Sequence, residues 1–69
     1  MKPAELLRRL RRLATRRGWE LIETEGGNHA KVKLNGYRTV IGRHPKDLKN
    51  DTFLKTLKQL GLQPSDLED

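Results

Sequence analysis

The apolar residues of this chain fall into two helical stripes around one alternating hairpin. At 100° per residue, Leu6, Leu7, Leu10, Leu13 and Ala14 lie within about 120° of one another, the apolar stripe of an amphipathic helix. Arg8, Arg9, Arg11, Arg12 and Arg16 occupy the other side. Pro3 suits the first helical position, where its missing N–H costs nothing, and Gly18 suits the left-handed stop. The pattern predicts a helix over residues 4–17. Residues 19–24, rich in Trp, Leu, Ile and Thr, predict a strand. Glu25-Gly26-Gly27-Asn28 reads as a turn.

His29-Ala30-Lys31-Val32-Lys33-Leu34 alternates strictly. Asn35-Gly36 follows, the strongest two-residue hairpin signal, because a type I′ turn needs positive φ twice. Tyr37-Arg38-Thr39-Val40-Ile41 then returns. In that register Leu34 faces Tyr37, Lys33 faces Arg38, Val32 faces Thr39, Lys31 faces Val40, Ala30 faces Ile41 and His29 faces Gly42. Ala30, Val32, Leu34, Tyr37, Thr39 and Ile41 share one side and are expected to pack on the core. His29, Lys31, Lys33, Arg38 and Val40 share the other. Residues 42–49 connect to a second helix capped by Asn50 or Asp51, with Phe53, Leu54, Leu57 and Leu60 as its stripe. Gly61 stands where a left-handed cap belongs, and Leu62 can fold back on Leu57. Residues 63–69 predict a short turn or a frayed end. The expected fold is α+β, in the order α-β-β-β-α, with a three-stranded antiparallel meander and both helices on one face. The basic face is left bare.

The chain has 69 residues, room for one small domain and one thin core. Lys and Arg total 15 against 9 Asp and Glu, a net charge of +6 that points to a polyanion or an acidic partner. Residues 1–18 and 26–49 form two basic blocks, separated by Glu20, Glu23 and Glu25. With no Cys there is no disulfide framework and no thiolate nucleophile, and two His alone cannot complete a structural zinc site. No metal or cofactor is expected. No apolar stretch approaches the roughly 20 residues that span a bilayer. The charged opening is unlike a signal peptide, so a cytoplasmic protein is expected.

The candidate chemistry lies on the bare face. His29 is the side chain whose ordinary pKa is nearest neutrality, so it can act as acid or base at cell pH. Lys31, Lys33 and Arg38 can hold phosphates and stabilise transition-state charge. If the third strand runs on, His44 lies diagonally from His29 at roughly 7–8 Å, close enough for a phosphate between them. RNA carries its own nucleophile, the 2′-OH, so its cleavage needs only acid–base groups and cations. Trp19 and Tyr37 are expected in the core rather than as base-stacking platforms.

Gly27-Asn28-His29, the alternating strand, and Thr39-Val40-Ile41-Gly42-Arg43-His44-Pro45 together closely resemble the HicA mRNA-interferase toxins. Arg17-Gly18-Trp19-Glu20-Leu21 and Leu57-Lys58-Gln59-Leu60-Gly61-Leu62 fit the same pattern, so the resemblance covers residues 4–62. It implies a fold like a double-stranded-RNA-binding domain. It also implies ribosome-independent mRNA cleavage in a type II toxin–antitoxin system, and a HicB-type antitoxin that covers the site. The family's catalytic His maps onto His29, and the His of its second motif onto His44. Lys31, Lys33, Arg38, Arg43 and His44 are the expected RNA-binding residues. The chain departs from the family where Gly26 or Gly27 replaces a Ser and Gly42 replaces a Pro. A monomer alone and a hetero-oligomer with the antitoxin are expected. The rival is a non-catalytic double-stranded-RNA-binding module. Its usual Lys-rich start to the last helix is here Asn50-Asp51-Thr52, neutral to acidic. A third reading, a structural partner docking its Arg-rich helix on an acidic protein, is compatible with the first.

Overall fold

The computed structural model describes residues 1–43 and 46–68. The order is α1 (Pro3–Arg17), β1 (Leu21–Gly26), β2 (His29–Leu34), β3 (Tyr37–Gly42), α2 (Asn50–Gln59) and a closing 3-10 turn (Pro64–Leu67). This is the expected α-β-β-β-α arrangement. The strands form one antiparallel sheet in the order β1-β2-β3.

Helix α1 opens on Pro3 and ends as Gly18 enters the left-handed region at φ 69°. The Trp19 N–H donates to the Ala14 carbonyl at 2.8 Å and the Gly18 N–H to the Thr15 carbonyl at 3.3 Å, the paired bonds of a Schellman stop. Between β2 and β3, Asn35 and Gly36 take φ 50° and 88°, as a type I′ turn requires. The register runs as the hairpin predicts, from Leu34 opposite Tyr37 to His29 opposite Gly42. Ala30, Val32, Leu34 and Ile41 are therefore buried with Leu6, Leu10 and Leu13 of α1 and Leu57 and Leu60 at the end of α2. Each of the Val, Leu and Ile side chains contributes roughly 1.5–3 kcal/mol by leaving water. Both helices cover this one side of the sheet.

Several expectations are corrected. β1 begins at Leu21, not Trp19, because the Trp19 backbone is still closing α1 and its ring takes the Arg17 guanidinium at 5.1 Å. Lys49, not Asn50 or Asp51, precedes α2, and it makes no side-chain cap bond. Asp51 instead sits within the first turn, where the helix dipole favours a carboxylate. Leu54 is 43% exposed, so it is not part of the core stripe. The inward positions are Phe53, Thr56, Leu57 and Leu60, which recur at i, i+3, i+4 and i+7. Tyr37 lies on the core side of the hairpin yet is 51% exposed, because it stands at the end of the sheet with its ring over Gly61. The tail closes in a short turn, one of the two forms expected for it, and buries Leu67. Asp66 holds that turn, accepting from the Gln63 N–H at 2.7 Å and from the Arg17 guanidinium at 2.9 Å. No helix among the described residues is long and apolar enough to cross a membrane.

Gly61 closes α2 at φ 69°, with the Leu62 N–H bonded to the Leu57 carbonyl at 2.8 Å. A Cβ there would stand 2.9 Å from Cζ of Tyr37, whereas at Gly18, also at φ 69°, it would meet nothing within 4 Å. Both Gly→Ala variants are expected to destabilise, by about 1 kcal/mol or more, because L residues resist this φ. Gly61→Ala should cost more in urea denaturation, and Tyr37→Ala should remove the excess. Equal costs would contradict the ring's place over Gly61.

Candidate nucleic-acid interface

Strand alternation sorts the sheet into two chemically distinct faces. The register stacks three rows on the side away from the helices: Ile22, Lys33 and Arg38; Thr24, Lys31 and Val40; Gly26, His29 and Gly42. His29, Lys31, Lys33 and Arg38 are all exposed. Structure and sequence agree on these four residues, which share one open surface.

The third row shapes the imidazole's surroundings. His29 has a glycine directly opposite it on each neighbouring strand. Neither strand places a side chain directly opposite the ring, and a Cβ added to Gly26 would meet nothing within 4 Å. Gly26 thus leaves a notch beside His29.

The same alternation keeps the two carboxylates of β1 off this face. Glu23 and Glu25 of β1 lie opposite Val32 and Ala30, both buried, so they belong to the helix side. There they meet arginines. Arg11 donates to the Glu23 carboxylate at 2.6 and 2.8 Å. Arg43 pairs with Glu25 at 2.6 Å. Along α1, Arg8 and Arg9 bind Glu5, while Arg17 and Arg16 donate to the side chain and backbone of Asp66. Lys31, Lys33 and Arg38, by contrast, have no carboxylate partner among the described residues. Their charge is open to a ligand.

One expected site residue, Arg43, is not brought to this group. Arg43 continues the ladder, its N–H donating to the Asn28 carbonyl at 2.6 Å, but its guanidinium turns to Glu25. His44 lies outside the described residues. Beyond the expected set, a groove of about 700 Å³ runs from Lys31 and Arg38 past the edge of β3 to Thr52, Lys55 and Gln59 of α2. Sequence reasoning weighed only the start of α2 for nucleic-acid contact and took the rest of the helix as a core element. The usable signal was a polar series, Thr52, Lys55 and Gln59, at helical spacing beside the apolar stripe.

The model of one protein family, described as HicA toxin of bacterial toxin-antitoxin, matches residues 7–62. The chain belongs to the HicA toxin family. No curated protein and no solved structure matches it. As a HicA toxin it acts within a toxin–antitoxin system, and that membership implies an antitoxin partner. The matched span takes in α1 from Leu7 onward, the whole sheet and α2, including every residue of the open face.

The pairing between α1 and β1 orients that face by fixing the sheet on the helix. Hydrogen bonds from Arg11, more than its charge or that of Arg43, hold the Glu23 carboxyl below the usual carboxylate range, against the opposing effect of burial. A carboxylate whose pKa falls on folding stabilises the fold above its unfolded pKa. That contribution is lost as pH drops through the folded value. Glu23→Gln should therefore be less stable at neutral pH, by up to about 1 kcal/mol for so solvated a pair. The gap to the parent should close in strong acid. A gap that stays constant or widens in acid, by chemical denaturation across pH, would contradict this role.

Proposed function

We propose that this HicA toxin is an endoribonuclease that cleaves mRNA without the ribosome, using His29 for acid–base catalysis. One observation carries the reading: an exposed imidazole lies between two glycines, on an open face whose cations have no carboxylate partner among the described residues. Such a surface suits a phosphodiester. Lys31, Lys33 and Arg38 would hold phosphates and stabilise the additional negative charge of the transition state. The gap beside His29 gives a ribose room to reach the ring.

The chemistry needs no protein nucleophile. The 2′-OH gives up its proton to a base as its oxygen bonds to phosphorus. The bond from phosphorus to the 5′-oxygen breaks, and that oxygen takes a proton from an acid. The products are a 2′,3′-cyclic phosphate and a free 5′-OH. One imidazole cannot readily serve both ends of an in-line displacement, so a second group shares the proton transfers: His44, a lysine or water. Arg43, held by Glu25, stands at the margin of the site.

A HicB-type antitoxin would neutralise the toxin by covering the open face, and it should present carboxylates there. The toxin alone would be a monomer, and a hetero-oligomer once bound. A purely duplex-binding role is less well supported, because α2 begins with Asn50-Asp51-Thr52 and its acidic first turn would repel a phosphate.

His29→Ala should keep the fold and lose growth arrest together with RNA cleavage, the latter by about 100-fold or more. Gly26→Val, whose Cβ would meet nothing within 4 Å, should retain stability yet cut slowly, because its side chain fills the notch. Undiminished cleavage by His29→Ala would overturn the assignment. Tight duplex binding with no cleavage of any RNA would favour the non-catalytic module.

A further inference from the structure

The groove at the edge of β3 extends the open face onto α2. Lys31 and Arg38 line both surfaces, so the two are continuous. Lys55 adds a cation from a different element, and no Asp or Glu lines the groove. Like Lys31 and Arg38, Lys55 has no carboxylate partner among the described residues. The floor includes Val40, 53% exposed, an apolar spot against which a sugar or base can rest. Thr52 supplies a hydroxyl donor. The far wall is fixed in place, because the Thr39 hydroxyl donates to Oε1 of Gln59 at 2.7 Å and ties α2 to β3. That bond leaves the amide nitrogen of Gln59 as a donor.

We infer that this groove is a second limb of the substrate site, taking the backbone of single-stranded RNA that leads away from His29, with Lys55 as its phosphate contact on α2. The inference rests on the proposal that the open face binds RNA. Charge complementarity favours a polyanion. The path favours a single strand, since it turns from the flat sheet round the edge of β3 onto a helix. A stiff duplex cannot follow that corner, whereas a flexible strand can. Lys31 lies two residues from His29 on the same face, about 7 Å along the strand. The groove therefore begins beside the reacting phosphate and receives the nucleotides next to it.

The test uses the full chain carrying His29→Ala, so that bound RNA survives. Its affinity for a short fluorescent single-stranded RNA of mixed sequence is measured across a salt series. Adding Lys55→Gln should weaken binding several-fold and lower the salt slope by about 0.7, the loss of one phosphate contact on a single strand. Lys58→Gln removes the same charge one turn further along α2, outside the groove, and should change binding less. A duplex of the same sequence should be insensitive to Lys55→Gln. Equal losses for Lys55→Gln and Lys58→Gln would show a mere change of net charge and overturn the assignment. Dependence of duplex binding on Lys55 would overturn the single-strand path. No effect of Lys55→Gln, alongside a clear loss for Lys31→Gln, would remove the groove and leave the open face standing. Absence of any RNA binding by the parent would remove both.

Discussion

The pairing of β2 with β3 decides which side chains meet water. Side chains alternate along a strand, so a slip of one residue would send Ala30, Val32 and Leu34 outward and press Lys31 and Lys33 into the core. The type I′ turn at Asn35-Gly36 prevents that slip, and both residues adopt the positive φ it demands. Burial of Ala30, Val32 and Leu34 reinforces the same register. Core and candidate site are therefore two readings of one alternation: every residue that holds the sheet to the helices implies a neighbour that faces solvent.

The same parity organises the charge. A basic protein with an acidic strip could neutralise itself, yet here Glu23 and Glu25 project from the opposite side of the sheet to the basic hairpin face. The glutamates of β1 are taken up by Arg11 and Arg43, and α1 carries its own Glu5. Among the described residues, Lys31, Lys33 and Arg38 beside His29, and Lys55 beyond them, have no carboxylate partner. A high count of arginine in a sequence is thus a poor guide to where an anion binds. The more informative residues are cations whose neighbours cannot pair with them.

The sequence made local features legible. The hairpin turn, its register, the two left-handed helix stops and the composition of the open face follow from spacing and residue type, and they appear as expected. The departures depend on contacts distant in the chain. Tyr37 is half-exposed because it ends the sheet over Gly61, which no periodicity records. Leu54 yields its inward place to Thr56 because the angle of α2 is set by Phe53, Leu57 and Leu60 together. Arg43 looked free beside a motif histidine, and only the sheet reveals Glu25 within reach. The α2 limb of the groove was hidden for the same reason, since its walls come from elements joined by the connection after β3.

The surface around His29 is most directly probed by NMR titration with an RNA oligonucleotide whose 2′-hydroxyls are replaced by hydrogen, so that it binds without being cut. Signals of His29, Lys31, Lys33 and Arg38 should shift together and saturate at one concentration, with α1 little changed. Shifts confined to the arginine side of α1, with the imidazole unmoved, would contradict the claim that the bare face of the sheet receives RNA.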